Sequence, residues 1–306
     1  MRLLPGMAHD RLHHAPPAVA LRGEIVDGVA PALHYLERGP ADGPPVVLLH
    51  GLASLAQEML TPLAGPLTGA GYRAIAFDRP GYGFSAPAGP DAMSPRDQAR
   101  AVAGAMASIG ASGAVIVGHS FGAAPALLLG EDPGAAPAGL VLISPFCRPT
   151  RPAAAPGLRA ANAPGIGPLI RSALPRIAGP LGRRMVRAGL HAGQAAPNPT
   201  AFPWRRMAQG SAVQAMAGEL RGFNADMTAL RTRLKEIRVP TVILADPEDP
   251  VIPMKPHVRW LTHRMPEATV RWRAAGHLLH HADPQAVVAA VRSVDPAARP
   301  DVRRAG

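Results

Sequence analysis

Ala114-Val115-Ile116-Val117-Gly118-His119-Ser120-Phe121-Gly122-Ala123-Ala124-Pro125-Ala126-Leu127-Leu128-Leu129 is the stretch that decides the fold of this chain. A short apolar run ends in a pentapeptide with glycine first and last and serine at its centre, and a run of small, helix-compatible residues follows. Strand, G-x-S-x-G, helix is the setting of a nucleophile elbow. Such a turn forces its central residue into a strained backbone conformation. Its flanking positions need glycine because a Cβ there would collide with the neighbouring strand and helix. The pentapeptide alone is a weak signal, and its place between strand and helix makes it a strong one.

Outward from the elbow, strand and helix patterns alternate. Toward the N-terminus lie strands at Ile25-Val26, 32–36, 45–49 and 73–77, with helices predicted over 57–70 and from Ser94-Pro95 to Ile109. Ser94 reads as an N-cap and Pro95 as the first helical residue. Toward the C-terminus come a strand at 139–143, a break in the pattern, strands at 239–244 and 268–272, a helix after Pro256 and a last helix from Pro284 to Val294. The alternation predicts an α/β class with a parallel sheet flanked by helices. The expected organisation is a flexible leader at 1–22, a core made of 23–144 and 235–295, an Arg-rich helical lid at 145–234 and a tail at 296–306. Within the lid, Pro175 and Pro180 are expected to divide the amphipathic segment 166–190 into two or three short pieces.

The chain has 306 residues, enough for a substantial core. The single cysteine, Cys147, excludes an internal disulfide and fits a reducing compartment, so a cytoplasmic location is expected. The N-terminus has no long apolar core, and no run approaches the length of a membrane span. Net charge is +11, and all of the excess lies in 145–234, where thirteen arginines and no lysine face only Glu219 and Asp226. Charge confined to an insertion, with 4% aromatic residues and no reader motif, argues against nucleic-acid binding. The histidines show no paired ligand spacing, so neither a metal nor another cofactor is expected.

A serine nucleophile needs a base, and the base needs a carboxylate that fixes its tautomer. In a parallel sheet these groups gather just past the strand C-termini. Ser120, Asp249 and His277 occupy such positions after the strands ending near 117, 244 and 272. His50 and His119 read as structural, Asp78 as a loop organiser, and His280 and His281 lack the glycine that precedes His277. Cys147 reads as a small buried filler that borders the pocket or the core.

With His50-Gly51 after the third strand, Asp78-Arg79-Pro80-Gly81-Tyr82-Gly83-Phe84-Ser85, the elbow, the Asp249 loop and Gly276-His277, the chain resembles the α/β-hydrolase superfamily over about 24–144 and 236–294. Its lidded, serine-nucleophile branch is the nearest in kind. The resemblance implies Ser120 as nucleophile, His277 as base and then acid, and Asp249 as the orienting carboxylate. It also implies an oxyanion hole from the backbone N–H groups of Phe121 and Leu52, with Ala53 near the second position. One position departs from the pattern: the family has glycine three residues before the aspartate, where this chain has Asp246. That leaves Asp246 and Glu248 as rival carboxylates.

Dehalogenases and epoxide hydrolases of the superfamily carry aspartate at the elbow, whereas serine suits attack on a carbonyl. The expected activity is therefore hydrolysis of a carboxylic ester or related acyl bond on a small molecule, anionic or partly apolar. Contact with anionic lipid headgroups is a second use of the arginine-rich segment, and a plain solvated surface is the bland alternative. Two further readings stay open from sequence. One is cofactor-free perhydrolase chemistry on the same triad; the other is a non-catalytic ligand-binding accessory protein, like those assisting bacteriochlorophyll synthesis.

Overall fold

A computed structural model describes residues 22–26, 28–89, 92–150, 165–191 and 194–298. The expected leader, apart from Arg22, and the tail beyond 298 lie outside the described residues. Strands β1 (Arg22–Val26), β2 (Leu33–Arg38), β3 (Pro45–Leu49), β4 (Arg73–Phe77), β5 (Val115–His119), β6 (Gly139–Ile143), β7 (Thr241–Ala245) and β8 (Thr269–Trp272) form one sheet in the order β1-β2-β4-β3-β5-β6-β7-β8. β1 and β2 run antiparallel to their neighbours, and every pairing from β4 to β8 is parallel.

The helices lie on both faces, as the βαβ connections require. They are α1 (Ala56–Gly69), α2 (Pro95–Ser108), α3 (Ala123–Glu131), α4 (Gly167–Ala188), α5 (Trp204–Met207), α6 (Gly210–Arg231), α7 (Met254–Thr262), α8 (Leu279–Ala282) and α9 (Pro284–Val294). Strand alternation divides the core between the faces: Val47 and Leu49 join Ile116, Leu127 and Phe223 on one side, while Val46 and Leu48 join Met59, Leu63 and Val291 on the other. Helix α2 starts as its sequence predicts. The Ser94 hydroxyl accepts from Asp97 N at 3.3 Å, the Asp97 carboxylate accepts from Ser94 N at 3.1 Å, and Pro95 occupies the first turn.

Between β6 and β7 the chain leaves the sheet and builds α4, α5 and α6. A third apolar cluster, with Leu55, Tyr82 and Leu278 from the core and Phe202, Met207 and Ala212 from the insertion, joins the two. Trp204 stacks on Phe202 with ring centroids 5.0 Å apart, and Phe202 in turn stacks on His281 of α8 at 5.3 Å, so the pair ties the insertion to the core. The expected break at the two prolines does not occur: α4 runs through Pro175 and Pro180 as one helix of 22 residues. Each proline removes one N–H donor and crowds the carbonyl four residues upstream. Most of this helix faces solvent, where water can replace the missing donor. Among the described residues no helix is long and apolar enough to cross a membrane.

Candidate active site

The elbow turns sharply. Ser120 has φ 51°, a left-handed conformation that an L residue keeps only when its surroundings impose it. A Cβ on Gly122 would stand 2.3 Å from the Leu49 carbonyl oxygen, and one on Gly118 would stand 2.6 Å from the Gly122 oxygen. The two glycines therefore let β5, the turn and β3 approach as closely as they do. Phe121 packs against Phe223 and Phe146, with centroids 5.0 and 5.9 Å away, which fixes the turn from the α6 side.

Ser120, Asp249 and His277 meet at the C-terminal ends of β5, β7 and β8. His277 Nε2 lies 3.0 Å from Ser120 Oγ, and His277 Nδ1 lies 2.7 Å from Asp249 Oδ2. The other Asp249 oxygen accepts from Val251 N at 2.8 Å and Ile252 N at 3.0 Å, so the carboxylate is held at both ends. A carboxylate beside Nδ1 makes that nitrogen the N–H donor and leaves the Nε2 lone pair facing the serine hydroxyl. Ser120 and His277 are both buried.

Asp246 and Glu248 do not take this place. Glu248 is exposed. Asp246 is buried and does something the sequence does not disclose. Its Oδ2 accepts from Ala275 N and Gly276 N, each at 2.7 Å, and pairs with His191 Nε2 at 2.6 Å; its Oδ1 accepts from Glu248 N at 2.8 Å. Burial alone would raise its carboxyl, but these hydrogen bonds hold it below the ordinary carboxylate value. The side chain that replaces the usual glycine thus ties the loop before His277 to the residues after α4. Gly189, where α4 ends, completes the link by accepting from His277 N at 2.9 Å.

The Leu52 side of the site is braced by Arg79. Its Nε donates to the His50 carbonyl at 2.9 Å, its Nη2 to the Gly51 carbonyl at 3.1 Å and its Nη1 to Gln98 Oε1 at 2.8 Å. Nη1 also pairs with Glu219 of α6, whose second oxygen accepts from Tyr82 Oη at 2.6 Å. Burial pushes the Tyr82 phenol up to about 12 against the pull of Arg79. His50 is structural, as expected: it accepts from Arg79 N at 3.1 Å, and burial and Arg79 lower it to about 3. Asp78 organises its loop by accepting from Ala56 N at 2.9 Å and Phe84 N at 3.0 Å, with His34 Nδ1 at 2.8 Å.

Behind His277 lies a buried polar group with no sequence signal, because its members are far apart in the chain. Glu58 Oε1 accepts from His280 Nε2 at 2.6 Å and His281 Nε2 at 2.9 Å, and Glu58 Oε2 accepts from Ser54 Oγ at 2.9 Å. His119 adjoins this group and donates through Nε2 to the His277 carbonyl at 3.1 Å. Glu58, His119 and His280 bring ligand-type atoms within 4.8 Å of one another. The carboxylate has three donors and both rings are held to the protein through Nε2, while the buried Nδ1 atoms of His119 and His280 have no hydrogen-bond partner. Cys147 is buried, and its N–H donates to His257 Nδ1 at 3.1 Å.

Comparison with known proteins agrees with this architecture. A curated relative, a haloalkane dehalogenase from Mycobacterium marinum, is 47% identical over 53 residues, which are 17% of this chain and 18% of that protein. The match thus spans less than a fifth of the relative. A hydrolase structure from Pseudomonas aeruginosa superposes with a TM-score of 0.68 at 22% identity, covering 90% of this chain and 98% of that one. An enol-lactonase from Burkholderia xenovorans gives 0.63 at 21% identity, covering 87% and 95%. At such identities these structures share the fold alone. The model of the alpha/beta hydrolase family matches residues 46–291, from β3 to α9 across the elbow and both loops that meet it. The chain therefore belongs to the alpha/beta hydrolase family.

Proposed function

We propose that the protein is a serine hydrolase that cleaves a carboxylic ester of a small molecule through an acyl-enzyme. The observation that carries this reading is the continuous contact from Asp249 Oδ2 to His277 Nδ1 at 2.7 Å and from His277 Nε2 to Ser120 Oγ at 3.0 Å. In this mechanism Ser120 Oγ attacks the ester carbonyl carbon while His277 Nε2 takes its proton. The oxyanion of the tetrahedral intermediate is held by the N–H groups of Phe121 and Leu52. The intermediate expels the alcohol, which takes the proton from His277, and the acyl group remains on Ser120. Water, deprotonated by His277, then attacks the acyl carbon and releases the acid. Asp249 orients the ring and stabilises the imidazolium. In this reading the insertion is a lid, and the end of its helix α4 is tied to the His277 loop through Gly189 and Asp246.

The partial likeness to dehalogenases does not redirect this reading. A serine oxygen that displaced halide would form an alkyl ether, which has no carbonyl for water to attack, and the enzyme would not turn over.

The test is a soluble fluorophosphonate probe with mass-spectrometric mapping. A stoichiometric adduct on Ser120 is expected, absent in Ser120→Ala. Asp249→Asn should lower ester turnover by roughly 10⁴-fold through loss of the correct tautomer. Well-folded protein that takes no label, or takes it equally with His277→Gln, would refute the assignment.

A further inference from the structure

Helix α4 leaves much of its apolar surface exposed. Its buried residues are Gly167, Ala178 and Gly182, with Ile170, Leu174 and Val186 half-buried, and a Cβ on Gly182 would stand 2.1 Å from the Trp204 ring. Outward go Leu169 at 73% exposure, Ile177 at 56%, Leu181 at 51% and Met185 at 57%, with Ile166 at 56% just before the helix. Ile177, Leu181 and Met185 are all exposed and stand four apart, so they make one stripe about 12 Å long at 1.5 Å per residue; Leu169 and Ala173, further back on the same winding row, are exposed as well. Exposed Arg176, Arg183, Arg184 and Arg187 lie along and beside that stripe, and the helix contains no acidic residue. Amphipathic helices of water-soluble domains show the opposite arrangement, with the apolar stripe against the core. A continuous apolar patch of this kind marks a surface that something covers.

We propose that the outer face of α4 docks on a bilayer containing anionic lipid, with its apolar stripe at the acyl boundary and its arginines among the headgroups. Charge complementarity selects this occupant over a second copy of the chain. A two-fold contact through α4 would set the arginines of one copy against those of the other, with no carboxylate on either helix to offset them. The consequence for substrate rests on the ester-hydrolase reading: α4 ends at Gly189, which accepts from His277 N, so the docked helix would bring the site to esters presented at that surface.

The experiment is vesicle flotation of the full chain with phosphatidylcholine alone and with phosphatidylcholine containing about one third phosphatidylglycerol. Three proteins are compared: the wild type, Arg176→Gln/Arg184→Gln/Arg187→Gln, and Ile177→Ser/Leu181→Ser/Met185→Ser. Wild type should float with the anionic vesicles and not the neutral ones, and less so at high salt. Each arginine neutralised should weaken partitioning about fivefold, hence about a hundredfold for the triple, and the serine triple should lose at least as much. Both variants change exposed side chains only, so circular dichroism and labelling of Ser120 by a soluble fluorophosphonate should match wild type. Absence of wild-type binding, or equal binding by the variants, would overturn the proposal. So would a concentration-dependent dimer in sedimentation equilibrium that the serine triple disperses, because the face then belongs to a second copy. Vesicle binding by a protein that takes no label would uphold the docking surface and overturn only the hydrolase reading.

Discussion

Asp246→Ala removes four hydrogen bonds at once, and the structure allows their loss to be divided. Glu248 is exposed and the His191 side chain is 30% exposed, so water can take over both contacts at small cost. Gly276 N is buried and would have no acceptor, whereas Ala275 N keeps its second acceptor, the Arg273 carbonyl at 3.0 Å. At about 1–3 kcal/mol for one orphaned buried donor, the variant should lose about 1–3 kcal/mol of stability. Asp246→Asn keeps one oxygen able to accept from both amides and should recover more than half of that loss. Equilibrium unfolding in urea measures all three proteins. The dependence on pH supplies a second check. The folded carboxyl lies below its ordinary value, so its contribution is complete above about pH 4, the unfolded aspartate value, and fades as pH falls through the folded one. The gap between wild type and Asp246→Ala should therefore narrow under acid. A gap under about 0.5 kcal/mol at neutral pH, or one that stays constant into acid, would refute the clamp.

Three other outcomes follow from contacts already described. Gly122→Ala places a Cβ 2.3 Å from the Leu49 carbonyl oxygen, and the protein should fail to accumulate in soluble form, as expression and thermal melting would show. Glu219→Gln leaves the fully buried Arg79 guanidinium without its counter-charge and should cost about 3–5 kcal/mol in urea unfolding. Cys147 is fully buried, and burial pushes its thiol well above the ordinary value. A thiol reagent such as dithionitrobenzoate should react with it only after denaturant is added.

The parts legible in the sequence are those specified by neighbours in the chain. Continuous apolar runs mark β3, β5, β6 and β7 because strands buried on both faces need no alternation. Ser120, Asp249 and His277 can be located from short loops at strand ends, where a few adjacent residues determine the geometry. The polar support beneath them is invisible for the opposite reason: Glu58 meets His280 across 222 residues, and His191 meets Asp246 across 55. No local pattern records such a pairing. Helix α4 misleads a sequence reader in two ways. Its prolines read as breaks, although a solvent-facing helix can leave the affected carbonyls to water, and its outward apolar stripe reads as ordinary amphipathic packing onto the sheet.

Under the proposed mechanism, the distance along the chain between Ser120 and His277, its base, also bears on how the protein is made. They meet across 157 residues. At a synthesis rate of about 5–20 residues per second, the elbow leaves the ribosome roughly 8–30 s before His277 does. Through that interval β5 can pair with β3, which precedes it, but not with β6 until that strand emerges, and the serine has no partner to take its proton. A nascent or truncated chain would therefore carry an elbow without nucleophilic power, and acylating reagents should report completion of the polypeptide as well as its folding.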